Sequence, residues 1–254
     1  MKLKTNKIKE MKAIVGSILE LVDETKLKFD DKFIVFEAMD RANIAYTRLK
    51  ILGVFFDEYV PSEDEIIFKV KDLKDFLDIP KEGDTLILKI SEDKSSLVLE
   101  IMGNFQQNYT MPLLTELAVA DIPKTEMLDK VRQGKYNEIY KNIIKTDKDK
   151  FDISIQNLNK LGSAPLVFYV KDNKFAIKKQ EDLKRGEVFL GKHEGEDSIS
   201  KFNSSYIAKF CKLLPISENV EVCLRTDYPL LLNINKMNGF VVNYLMAPLV
   251  EPND

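Results

Sequence analysis

Few residues in this chain could do covalent or metal chemistry. One histidine, His193, lies in the polar stretch "GKHEGED", and there are two cysteines, Cys211 and Cys223. A His-based triad or a multi-His metal site needs more than one unsupported imidazole, so His193 reads as a solvated loop residue. The cysteines show no metal or redox spacing and sit among apolar neighbours. They read as small buried hydrophobes in a reducing compartment. No P-loop, G-x-S-x-G elbow or glycine-rich dinucleotide turn occurs. The acid runs "SEDE" (Ser62–Glu65) and "EGED" (Glu194–Asp197) could hold a divalent ion, but as loop charge they read as solvated. The expectation is a protein that is not an enzyme, with no catalytic residues, no metal and no cofactor. A metal-dependent enzyme is the weaker alternative.

The remaining chemistry is non-covalent. Net charge is −3, which argues against a protein coated in positive charge but not against a local cationic surface. Four segments with helical periodicity carry Lys7, Lys9, Lys12, Lys71, Lys74, Lys150, Lys160, Lys209 and Lys212. They face only six acids, Glu10, Glu20, Asp72, Asp75, Asp78 and Asp152. These segments are more positive than the rest of the chain, although the second is net negative by itself. Apolar residues make up 44% and charged residues 31%, enough to bury a real core. No apolar run approaches the roughly 18 residues of a membrane span. "MKLKTNKIKE" has no apolar h-region, so no signal peptide is expected.

These side chains must be positioned by short strands punctuated by four helices. The first runs from Lys7 to about Val22 with Asn6 as N-cap and an apolar stripe at Ile8, Met11, Ile14, Val15, Ile18, Leu19 and Val22. The second spans about Lys71 to Ile79 and stops at Pro80. The third spans about Lys150 to Leu161, capped by Asp149 and ended by Gly162. The fourth begins at Ser205 and ends before Pro215. Between them lie "TKLKF" and "FIVFEAM" across "DDK", then "TLILKI", "SLVLEIMGNF", "PLVFYV", "KFAIKK", "NVEVCLR", "PLLLNIN" and "GFVVNYLM". In "NVEVCLR", Val220, Val222 and Leu224 alternate with Glu221, Cys223 and Arg225 as in a half-buried strand. One amphipathic helix followed by an antiparallel meander recurs about four times, paired into two halves. The fold class is α+β, with domains at 1–110 and 128–254. Residues 111–127, without caps or alternation, form an unusually apolar linker carrying Leu113, Leu114, Leu117, Val119 and Ile122.

At this level the chain resembles the proliferating cell nuclear antigen family of DNA sliding clamps, and is closer to archaeal than to animal members. The resemblance rests on "FEAMDRANIAYTRL", "DTLILK", "YTMPLLTELAVADIP", "SSYIAKFCKLLP", "DYPLLLNI" and "YLMAPLVE", in the family's order across both halves. Two departures stand out. An extra "LDKVRQGKYNEI" precedes "YKNIIKT", either as a short added helix or as a looped-out insertion, and the loop around "GKHEGED" is short.

The resemblance implies two similar domains of the DNA-clamp type in a ring of three subunits. Helices line the hole around double-stranded DNA, read without sequence preference, and antiparallel sheets lie outside. The DNA-facing candidates are Lys7, Lys9, Lys12, Lys71, Lys74, Lys160, Lys209 and Lys212. The ring tethers DNA polymerase, clamp loader, nuclease and ligase through short peptide motifs carrying a glutamine and an aliphatic–aromatic helical turn. The implied pocket uses Met39, Asn43, Ile44, Tyr46, Val119, Ile122, Pro123, Pro229, Leu245, Ala247 and Pro248, with the Ala247 and Pro248 carbonyls meeting the glutamine. Subunits join edge to edge through about Gly103 to Tyr109 and Gly186 to Lys192, giving interface candidates Gly103, Phe105, Tyr109, Val188 and Leu190. Both homotrimer and heterotrimer remain open, no membrane partner is implied, and the alternative within the fold is a subunit of a heteromeric repair or checkpoint ring. Location follows lineage: cytoplasmic and nucleoid-associated if archaeal, nuclear if eukaryotic.

Overall fold

The computed structural model describes residues 1–116, 122–237 and 239–249. The chain divides into two compact units. The first comprises Met1–Arg41, Thr47–Ile122 and Lys236–Val241; the second comprises Ala42–Tyr46, Pro123–Asn235 and Val242–Asp254.

The first unit opens with β1 (Lys2–Thr5), too short and lysine-rich to register as a strand in sequence, and α1 (Ile8–Leu19). The stripe of α1 behaves as its spacing demands, with Ile8, Met11, Ile14, Val15 and Ile18 buried. Asn6 is not its side-chain cap. Lys7 occupies that position without a cap bond, and Asn6 contributes only its carbonyl, which accepts the Ile8 N–H at 2.9 Å. A cap contributes about 1 kcal/mol, whereas each buried aliphatic side chain contributes about 1.5–3 kcal/mol, so α1 is held by packing. Next come β2 (Glu24–Phe29), β3 (Phe33–Met39), β4 (Ala45–Leu52), β5 (Glu58–Val60) and β6 (Ile66–Lys69). Then follow α2 (Val70–Leu77), β7 (Thr85–Ile90), β8 (Ser96–Met102) and β9 (Gln106–Pro112). One antiparallel sheet has the order β5-β1-β7-β8-β9, with Leu3 opposite Leu88; another runs β6-β2-β3-β4. Helices α1 and α2 pack side by side where Gly16 leaves room for the Lys74 stem.

In the second unit the extra stretch, with the last residues assigned to the linker, opens with a helix. Thr125 caps α3 (Glu126–Arg132), its Oγ1 accepting the Leu128 N–H at 3.2 Å, so the extra stretch is a helix and not a looped-out segment. Leu128 and Val131 are buried. Gly134, at φ +72°, ends α3 in a Schellman arrangement: the Lys135 N–H reaches the Lys130 carbonyl at 2.8 Å and the Gly134 N–H the Val131 carbonyl at 3.0 Å. A 3₁₀ turn (Tyr136–Glu138) leads to β10 (Asn142–Thr146) and α4 (Lys148–Asn159). The cap of α4 is Asp147, two residues before the expected Asp149. Its carboxylate accepts the Lys150 N–H at 2.8 Å.

After α4 come β11 (Leu166–Lys171), β12 (Lys174–Glu181), β13 (Lys184–Lys192), β14 (Ser198–Phe202) and α5 (Ser204–Cys211). The unit closes with β15 (Asn219–Leu224), β16 (Leu230–Lys236) and β17 (Phe240–Met246). Its sheets run β13-β12-β11-β14 and β10-β15-β16-β17. Helices α4 and α5 pack together over a core containing Phe151, Phe168, Phe175 and Phe202, with Phe168 edge-on to Phe202 at 5.7 Å. Each unit therefore repeats a helix pair backed by two antiparallel sheets. Cys223 is fully buried, as its apolar surroundings lead one to expect and against its alternation with Val222 and Leu224 on the strand.

Candidate functional site

The peptide-pocket candidates of the second unit gather around the chain's last described residues. The Ala247 N–H donates to the Ile44 carbonyl at 2.8 Å, and the Leu249 N–H donates to the Lys201 carbonyl at 2.8 Å. Proline at 248 has no N–H, so pairing skips it. The Ala247 and Pro248 carbonyls accept no hydrogen bond among the described residues. Asn43 is exposed at φ +55°, Ile44 and Pro229 are half-buried, Pro123 is exposed, and Leu249 is 43% exposed. Tyr46 and Leu245, expected to line the pocket, are 2% and 3% exposed and belong to the core beneath it. Tyr46→Ala would thus remove packed core, at about 3–5 kcal/mol by analogy with other aromatic truncations. In the first unit, Met39 ends β3 half-buried and Ile122 is half-buried. Val119 lies outside the described residues.

A neighbouring feature that sequence patterns did not show is a cleft of about 1120 Å³ on β11–β13. Val167, Lys178, Arg185, Lys201 and Leu249 line it.

The candidate lysines differ in how far their charge is committed. In the first unit, the Lys7 ammonium donates to the Phe55 carbonyl and lies 4.6 Å from the Phe55 ring centre. Lys12 donates to the Pro80 carbonyl at 2.9 Å. Lys71 pairs with Asp75 and Lys74 with Asp78, each one helical turn on, which cancels the positive charge of α2 locally. Lys9 is exposed and makes no ion pair among the described residues. In the second unit, Lys160 is exposed and reaches Asn157 at 3.0 Å, Lys209 lies 4.9 Å from the Tyr206 ring centre, and Lys212 is exposed. Lys150 instead donates to the Leu190 carbonyl at 2.7 Å.

Each unit also leaves a sheet edge. Strand β9 starts at Gln106, so Gly103 and Phe105 fall in the turn before it. At Gly103 a Cβ would lie 2.1 Å from the Asp84 carboxylate, so a larger residue there would push that side chain aside. Phe105 is 67% exposed, and Tyr109 is half-buried against Phe76. On β13, Val188 is half-buried. Leu190 is buried and points into the unit's own core, contrary to an interface role for its side chain; the exposed apolar residue is Phe189 at 49%.

The chemistry-bearing residues are elsewhere and isolated. No cluster of three or more His, Cys, Asp or Glu suited to a metal occurs among the described residues. Burial pushes both cysteine thiols up, away from the reactive thiolate. His193 is half-buried and not the fully solvated residue expected, and burial holds its pKa below the ordinary value. No helix among the described residues is long and apolar enough to cross a membrane.

Residues 1–123 match the family model of the proliferating cell nuclear antigen N-terminal domain. A DNA polymerase sliding clamp from Methanosarcina barkeri is 24% identical over 247 residues, covering 95% of each chain. The PCNA2–PCNA3 complex from Sulfolobus tokodaii matches with a TM-score of 0.85 and 21% identity over 99% of this chain and 100% of that one. A. fulgidus PCNA bound to the C-terminal region of FEN-1 matches at 0.80 and 22%, over 99% of each. The repeated helix pair with its two sheets is the sliding-clamp fold. Residues 1–123 belong to the proliferating cell nuclear antigen family as its N-terminal domain, and the whole chain is similar along its length to archaeal clamps.

Proposed function

We propose that this chain is a non-catalytic subunit of a three-membered ring that encircles duplex DNA and tethers replication and repair enzymes. What supports this most directly is that β9 in one unit and β13 in the other each end a sheet, with the exposed Phe105 just before one and Phe189 on the other. Exposed edges are normally protected. A head-to-tail contact that joins one to the other between copies protects both, and it closes into a ring when the rotation between copies divides the full turn. Helices α1, α2, α4 and α5 would then face the hole, where lysines attract phosphates without reading bases. Lys9 and Lys160, both exposed and in no ion pair among the described residues, carry part of that attraction.

Partner peptides dock at Ile44, Pro229, Ala247 and Pro248, and the two open carbonyls accept the amide N–H groups of a partner glutamine. Support comes from the A. fulgidus clamp, which binds the C-terminal region of FEN-1. Native mass spectrometry of the purified chain tests the assembly. A homotrimer is expected. A monomer that enters a ring only when mixed with related chains would place it in a heteromeric clamp, a reading favoured by the PCNA2–PCNA3 match. A monomer under every mixture would overturn the ring.

A further inference from the structure

The extra segment of the second unit is tied to both strands that supply the peptide pocket. The first tie is Tyr140, the residue that directly follows the extra stretch. This side chain is 1% exposed, its hydroxyl donates to the Pro229 carbonyl at 2.7 Å, and its ring meets Tyr228 edge-on at 5.8 Å. Pro229 is one wall of the pocket, at the end of the turn joining β15 to β16. The far side of that turn is already held, because the Asp227 N–H donates to the Ser200 hydroxyl at 2.7 Å and that hydroxyl donates to the Arg225 carbonyl at 3.1 Å.

The second tie starts at Tyr136. Its hydroxyl lies against Glu221 and Asn233, and burial followed by the hydrogen bond and charge of Glu221 raises its pKa. Asn233 donates to Glu221 at 3.0 Å, and Asn243 donates to Asn233 at 2.8 Å. This chain of side chains crosses β15, β16 and β17. It ends at Asn243, four residues before Ala247 on the strand that leads into the pocket carbonyls.

The segment also anchors the downstream end of the linker. Thr125 caps α3 two residues beyond Pro123, and Leu128 and Val131 bury the helix's apolar side. The cap, the Schellman close at Gly134 and the two tyrosine ties leave this element little freedom to shift as a body.

We propose that α3 and the turn after it are a brace that pre-forms the peptide pocket, with Tyr136 and Tyr140 as positioning residues acting through Asn233–Asn243 and Pro229. The inference rests on the docking site proposed above. A pocket whose walls are fixed before the guest arrives avoids ordering them on binding, which raises affinity without a new contact. The brace selects for partners that match one pocket shape, and it gives the added residues a role at a site they need not touch.

The test is calorimetric titration of the full chain with a synthetic peptide copying the C-terminal region of FEN-1, against Tyr136→Phe, Tyr140→Phe and the double variant. Phenylalanine keeps the ring and removes only the hydroxyl. One hydrogen bond corresponds to about fivefold in affinity, so about fivefold weakening is expected for each single variant and more for the double. Amide exchange should quicken at Leu230 and Ala247 but not within β11 and β12. Glu221→Gln, which keeps an acceptor for Tyr136, should hold affinity near that of the parent.

Ile44→Asp separates this inference from its foundation. If Ile44→Asp abolishes binding while the double Phe variant binds and exchanges like the parent, the brace is overturned and the pocket stands. If Ile44→Asp binds normally, the docking site and the brace are overturned together. Uniformly faster exchange in the Phe variants, with unchanged affinity, would make the segment a general stabiliser and overturn the brace.

Discussion

At the scale of single residues, His193 makes the sharpest pH prediction, because it is the chain's sole histidine. Burial lowers its folded pKa below the ordinary histidine value of 6.5. The unfolded chain therefore takes up a proton first as pH falls, and stability drops from about pH 6.5 down through the folded pKa. Denaturant unfolding at about pH 7.5 and 5.5 should show a loss at the lower pH that shrinks in His193→Asn. An undiminished loss would assign the effect to other groups. His193 also shows where residue-level reading stops. Flanking Gly191, Glu194 and Glu196 made the segment polar, yet polarity along a chain does not reveal that the backbone folds the ring inward. Tyr46 and Leu245 fail in the opposite sense. An apolar residue on a strand is compatible with a pocket wall or with the core beneath it, and only the placed sheet separates the two.

At the scale of elements, α2 carries its own counter-charge. Lys71 and Lys74 face Asp75 and Asp78 one turn on, and the Asp75 carboxylate raises the Lys71 pKa. Surface pairs of this kind add little to stability, but they remove positive field from the proposed hole. Asp75→Asn with Asp78→Asn should tighten duplex binding several-fold and steepen its salt dependence while melting changes little. Fluorescence anisotropy at two or more salt concentrations reads this, and an unchanged slope would place α2 away from DNA.

Element boundaries were legible where a stripe or an alternation ran for two or more turns, as in α1 and the β2–β3 hairpin. They slipped where two equivalent caps competed, as Asp147 and Asp149 did, since either carboxylate suits an N-cap and the choice depends on where β10 releases the chain. Helix α3 was only one of two options in the sequence. Seven residues give barely two turns of pattern, and its stability comes from Leu128 and Val131 packing onto the second unit.

At the scale of the whole molecule, the two-fold repetition of helix pair and sheets was readable from the order of periodic segments. The edge strands came from the resemblance and not from the pattern, because an edge strand and a central strand carry the same alternation. Phe105 and Phe189 are exposed, so replacing both with Asp should leave the fold intact and weaken assembly. Native mass spectrometry should show the ring giving way to single chains across a dilution series in which the parent stays closed. An unaltered mass distribution would move the contact elsewhere.

The exposed ring at Phe189 has a practical corollary, since the chain contains no tryptophan. An indole substituted there would be the only one in the polypeptide. Its emission would shift to the blue when a neighbouring copy covered it and to the red when water returned, turning closure and opening into an optical signal followed in real time.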